Sequence, residues 1–128
     1  MDFIKNINLV AVKVKDFSIS ELTQIVGFNY FVDLEDADNA AYLQVNFAVK
    51  SSEESGKLLK VSIKFNNVSG FKLDRAGQII HLTSFEIEDM KNQGWDSVQR
   101  FIVKDYEDGK FELKCSSIEI VSVEDLYQ

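Results

Sequence analysis

Apolar and polar residues alternate with period two along most of this chain. Ala41, Leu43, Val45, Phe47 and Val49 alternate with Tyr42, Gln44, Asn46, Ala48 and Lys50. Leu59, Val61, Ile63 and Phe65 alternate with Lys60, Ser62, Lys64 and Asn66. Phe28, Tyr30, Val32 and Leu34 share one face opposite Asn29, Phe31 and Asp33, and Phe111, Leu113 and Cys115 face away from Lys110, Glu112 and Lys114. Successive side chains of a strand point to opposite sides, so each run predicts a strand with one buried and one wet face. Antiparallel sheets have this habit.

Further strands are predicted over residues 8–15, 78–89, 98–106 and 118–123. The phase slips twice. Ile80 and Leu82 are out of step with Phe85 and Ile87, and Cys115 is out of step with Ile118 and Ile120. An extra residue near Thr83 and Ser84, and another near Ser116 and Ser117, would restore the phase as β-bulges do. Asp108-Gly109 between two alternating runs is a strong hairpin signal. Residues 36–39, 51–56 and 74–77 are also turn-rich. One short helix is predicted over residues 19–26. Ser18 and Glu21 form a capping box, Phe17 and Leu22 stand at the hydrophobic-staple positions, and Gly27 suits the terminator. The expected fold is all-β, or β-rich α+β: an antiparallel β-sandwich or partly open barrel of about seven or eight strands with one N-terminal helix.

Composition narrows the partners. A length of 128 residues suits one domain, residues 1–128, with a core that needs no staples. The net charge of -7 argues against nucleic acid or an anionic membrane, since neither attracts a surface of its own sign. The single cysteine, Cys115, excludes an intramolecular disulfide. With no secretory-type apolar block near the N-terminus, it favours a cytoplasmic location. Proline is absent, so lysines or bulges must protect the sheet edges.

Catalytic chemistry finds little footing. The one histidine, His81, has no motif around it, and no nucleophile elbow, phosphate loop or dinucleotide fingerprint occurs. His81 is expected to be partly buried or at a sheet edge. One cysteine and one histidine cannot supply the usual zinc sets. An EF-hand count from Asp36 puts Phe47 where a bidentate glutamate belongs, so residues 33–39 read as a solvated acidic turn. Glu86 and Glu88 share a strand face about 6.6 Å apart along the backbone, compatible with a glycosidase pair, yet nothing separates their proton affinities. Cys115 on an apolar face should be inert. No cofactor or metal is expected.

The candidates that remain are surface residues. Asp33, Glu35, Asp36 and Asp38 form an acidic turn, and Tyr106, Glu107 and Asp108 close another. Trp95 follows a glycine in a loop, where it could anchor a partner or fold back over the end of the sandwich. Together these point to a non-enzymatic domain that binds another protein, a basic one, through acidic loops. The alternatives are a small-ligand- or carbohydrate-binding sandwich with Tyr30, Trp95 and Tyr106 at its mouth, and a hydrolase using Glu86 and Glu88.

The runs VSIKFNNVSGFKL, QIIHLTSFEIEDM and GWDSVQRFIVKDYEDGKFELKCSSIEI resemble small uncharacterised bacterial proteins grouped with toxin-immunity proteins. The likeness covers residues 61–120. It implies an all-β cytoplasmic protein that binds and blocks a partner toxin, with no catalytic motif and no binding residue to carry across.

Overall fold

The computed structural model describes residues 3–37, 39–52, 56–74, 80–82, 85–91, 99–105 and 111–126. Within these, ten strands form two sheets facing one another, with no closed barrel. The fold is an all-β sandwich. The larger sheet runs β1 (Ile4–Lys5), β10 (Ser117–Asp125), β4 (Leu58–Asn66), β3 (Ala41–Lys50), β2 (Gln24–Val32), β6 (Ile80–His81) in spatial order. The smaller runs β5 (Ser69–Leu73), β9 (Phe111–Cys115), β8 (Phe101–Asp105), β7 (Phe85–Asp89). Every pairing is antiparallel except β1 with β10.

The alternating residues of β3, β4 and β9 are buried as their periodicity requires. Leu43, Val45, Phe47, Val61, Phe65, Leu113 and Cys115 have no accessible surface. Rings join the layers: Phe47 meets Phe85 at 5.5 Å between centroids, and Phe111 lies within 6.4 Å of Phe65 and 5.8 Å of Phe85. Burying one such ring stabilises the fold by roughly 1.5–3 kcal/mol.

Both phase slips fall where the chain changes sheet. β6 and β7 belong to different sheets, as do β9 and β10. Strands that switch sheets do so at a bulge or bend, and the parity that faces the core changes by one across both crossings. The predicted strand over 78–89 is therefore two strands, and its bulge at Thr83 and Ser84 falls outside the described residues. The second crossing takes a single residue, Ser116. β4 and β5 cross the same way, and the two crossings meet. The N–H of Ser116 donates to the carbonyl of Asn66 (2.9 Å), Asn67 Nδ2 donates to Ser116 Oγ (2.8 Å), and Asn66 Nδ2 donates to Ser117 Oγ (2.9 Å). Asn67 sits at φ 55°, a conformation that asparagine tolerates. Real bulges lie elsewhere, between Ile25 and Gly27, Ser69 and Lys72, and Ile120 and Ser122.

The N-terminal third departs most from expectation. Residues 8–15 are not a strand but a helical turn, α1 (Asn8–Ala11), continued by a bond from the Val14 N–H to the Val10 carbonyl. Its buried residues, Val10 and Val14, with Phe17 beyond, are spaced by four and three, a helical rather than a strand period. The helix expected over residues 19–26 is one 3-10 turn, Ile19–Glu21. The Glu21 arm of its capping box forms, with the Ser18 N–H donating to Glu21 Oε2 at 3.2 Å, and Phe17 and Leu22 are buried. The β-branched residues Thr23, Ile25 and Val26 then favour extended backbone, and β2 begins at Gln24. Gly27 is not a terminator. It lies in β2 where the Asn46 amide approaches within 3.3 Å of the place a Cβ would occupy.

Candidate functional site

Four strands cannot cover six, and the uncovered part is β2. Phe28, Tyr30 and Val32 point to the inner side, opposite buried Val45, Leu43 and Ala41. They nevertheless remain 40%, 46% and 40% exposed, and Leu34 beyond them 81%. The face predicted to be buried here is an open one. Its floor is Phe71 of β5, stacked with Tyr30 at 5.6 Å and edge-on to Phe28 at 6.4 Å. On the other side Phe31, 39% exposed, stacks on Tyr42 at 5.2 Å. The Lys64 ammonium sits 4.7 Å from the Tyr42 ring and covers that pair.

The backbone of β2 meets two neighbours among the described residues. β6 pairs with it only at Gln24 and Ile25, and among the described residues no strand continues that edge. The Asp33 N–H donates to the Ala40 carbonyl at 2.9 Å. Antiparallel pairs alternate, so Phe31 and Asn29 also direct their backbone groups to β3, while Phe28, Tyr30 and Val32 direct theirs outward. Thus Phe28 and Tyr30, with half-exposed rings, direct their backbone groups away from β3. The other exposed edges are protected. β7 carries Glu86, Glu88 and Asp89, β5 is short and bulged with Lys72 on it, and β10 is bulged and ends in Glu124 and Asp125. Residues 26–32 contain neither a charge nor a proline.

The acidic turn continues directly from this edge. Asp33 Oδ1 accepts from the Glu35 N–H at 3.0 Å, and Asp36 Oδ2 accepts from the Ala40 N–H at 3.3 Å. Asn39 takes a positive φ of 51° to close the turn. The carboxylates thereby hold the hairpin and leave Asp33 and Glu35 exposed at its tip. Asp38 lies outside the described residues. The charge is local: residues 16–49 hold six acidic residues and no Lys, Arg or His, and so carry six of the seven net negative charges.

No protein-family model, curated protein or solved structure matches this chain.

The remaining candidates are dispersed. Trp95, Tyr106, Glu107 and Asp108 lie outside the described residues, and no shared surface with the turn is assigned to them. The base of the segment holding Trp95 is described. Arg100 donates to both carboxylate oxygens of Asp89, at 3.0 and 2.9 Å, and the guanidinium holds that carboxyl below the usual range. Asp105, within the strand expected over residues 98–106, is the last residue of β8 and only 1% exposed. His81 is exposed on edge strand β6. Glu86 and Glu88 are exposed on β7, with Lys104 and Ile102 as their cross-strand neighbours. Burial pushes the Cys115 thiol up to about 12, so it stays protonated at neutral pH.

Hollows occur among the described residues away from Tyr30. One of about 400 Å³ lies by Glu21, Gln24, Ala48 and Lys50, and one of about 340 Å³ by Asp36, Asn39, Asn67 and Ser69. Among the described residues no group of three His, Cys, Asp or Glu converges on a metal position, and no helix is long and apolar enough to cross a membrane. Reading the sequence for acidic loops found the turn but missed Phe28 and Val32, and Tyr30 was placed only at the mouth of a ligand-binding sandwich beside Trp95 and Tyr106. The available signal was the combination of aromatic residues with an edge lacking lysine and proline.

Proposed function

We propose that this chain is a protein-binding domain without catalytic activity of its own, which captures a basic protein on the β2 edge and the turn at Asp33, Glu35 and Asp36. The observation that carries this reading is the continuity of the two features. An exposed aromatic strand edge runs into an exposed acidic turn, within a stretch of chain that holds no base. Aromatic side chains supply the desolvated centre that protein interfaces need. The acidic end supplies attraction at distance and raises the rate of encounter. The resemblance of residues 61–120 to toxin-immunity proteins gives the reading its biological form, a cytoplasmic inhibitor that occupies the surface of a toxin.

The test is retention of a basic protein from extracts of the native cells by the immobilised chain, beside the variant Asp33→Asn/Glu35→Gln/Asp36→Asn. Asparagine and glutamine keep the acceptor oxygens that hold the turn. A basic protein retained by the native chain should be lost both from the variant and at high salt, where the screening length falls to about 3 Å. Equal retention by the two chains, or binding indifferent to salt, overturns the charge-steered reading.

A further inference from the structure

We infer that the hollow of about 340 Å³ beside the acidic turn is a lysine pocket, which takes the side-chain ammonium of a lysine on the basic protein. This rests on the proposed function and names the group by which that partner is held. The hollow lies where the acidic turn meets the passage of the chain from β4 to β5. Its two sides are tied together, because the Val68 N–H donates to the Ala41 carbonyl at 2.8 Å. The side chains are also held. Asp36 Oδ2 accepts from the Ala40 N–H at 3.3 Å, and Asn67 Nδ2 donates to Ser116 Oγ at 2.8 Å. The hollow therefore has its shape before any occupant arrives.

The polar side chains around it are Asp36, Asn39, Asn67, Ser69 and Gln99: one carboxylate, three amides and a hydroxyl, with no cation among them. Such a set carries one negative charge and is rich in acceptor oxygens. An ammonium answers it with one positive charge, three N–H donors and no acceptor. Ser69 Oγ is a buried oxygen that has no hydrogen-bond partner among the described residues, and such groups are few in native proteins and costly. A turn about χ1 aims it into the hollow, where an ammonium supplies the missing donor. Ala40, Ala41 and Val68 add an apolar wall for the methylene stem of the lysine.

Other occupants fit this chemistry less well. The Asp36 charge opposes an anion. A bare metal ion would leave most of the volume to water, and among the described residues no three His, Cys, Asp or Glu side chains converge. A guanidinium is held best by both oxygens of one carboxylate, and one oxygen of Asp36 already accepts from the Ala40 N–H.

The test titrates the isotope-labelled native chain with N-acetyl-lysine N-methylamide and follows the amide signals by NMR. Shifts should concentrate at residues 39–41 and 67–69, with a dissociation constant on the order of 1 mM for so small a probe. The same compound with a trimethylated amine keeps the charge and loses every donor, and should bind at least about ten-fold more weakly. The variant Asn39→Gly/Gln99→Ala keeps all charges of the chain, and glycine accepts the φ of 51° at residue 39. It should weaken the lysine probe by about three- to thirty-fold. Ser69→Ala removes an unsatisfied hydroxyl, so it should weaken the probe without lowering the midpoint of urea unfolding.

Equal binding of the lysine and trimethylated probes overturns the pocket, because charge alone then accounts for the attraction. So do shifts confined to residues 33–35, tighter binding of the arginine analogue, calcium chloride moving the same amides at lower concentration, or no shift at the highest soluble concentration of the lysine probe. The proposed function survives each of these results if the Asp33→Asn/Glu35→Gln/Asp36→Asn variant still loses the basic protein. Retention of no basic protein by the native chain overturns the proposed function and the lysine of a basic protein as occupant together, even where the probe binds.

Discussion

Two phenylalanines of the same sandwich should respond very differently to truncation. Phe111 is 1% exposed and touches rings from both layers, with Phe65, Phe71 and Phe85 all within 6.4 Å. Phe28 keeps 40% of its surface in water and touches one ring, Phe71. Removing a fully buried phenylalanine costs about 3–5 kcal/mol, since the transfer energy is lost and a cavity remains. Phe111→Ala should fall near the middle, about 4 kcal/mol, out of a total of roughly 5–15 kcal/mol. Phe28→Ala removes a side chain whose burial is partial and whose site is already open to solvent, so no closed cavity forms. Its cost should be about 1 kcal/mol. With a urea slope of about 2 kcal/mol/M, the midpoints should move by about 2 M and about 0.5 M. Far-UV circular dichroism during urea titration measures both. Equal shifts would refute the argument, because they would place the β2 aromatics in the core and remove the reason for reading them as a docking surface.

Cys115 supplies an independent measure of the core: at pH 8 a thiol titrating at about 12 is roughly one part in ten thousand thiolate. Labelling by a disulfide reagent should therefore be more than about a thousand-fold slower than for an exposed thiol titrating near 8.5, and should accelerate across the urea transition; rapid labelling of the native chain contradicts its burial. The Asp89 carboxyl, held low by Arg100, should contribute stability that is present above its unfolded value of about 3.9 and disappears as pH falls through the lower folded value. The gap in urea midpoint between the native chain and Asp89→Asn should accordingly close in acid, and a gap that widens there would be contrary to the sign of the linkage.

Strands buried on one side were legible because their alternation is uninterrupted: the odd positions of β3 and β4 and the apolar side of β9 read directly from the sequence. The turn held by Asp33 and Asp36 was equally plain, while most of the one expected over residues 51–56 lies outside the described residues. The failures share a cause. Periodicity states which side of a strand is apolar, but not whether another layer reaches far enough to cover it, so the inner face of β2 looked like core. Nor can it separate a bulge from a change of sheet, because Cys115 and Ile118 show the same shift of parity under either. Near the N-terminus, six residues alternating Leu9, Val10, Ala11, Val12, Lys13 and Val14 satisfy two periods at once. Contact with β10 decided for the helix. Acidity was visible as a total, yet its concentration in residues 16–49 gained meaning only when those residues proved to include β2 and its half-exposed aromatic side chains.

The corner where Asn66, Asn67, Ser116 and Ser117 interlock binds the two layers as a spine binds pages. Two crossings of the chain lie side by side there, so the layers are tied through backbone and polar side chains at one corner as well as through the rings between them.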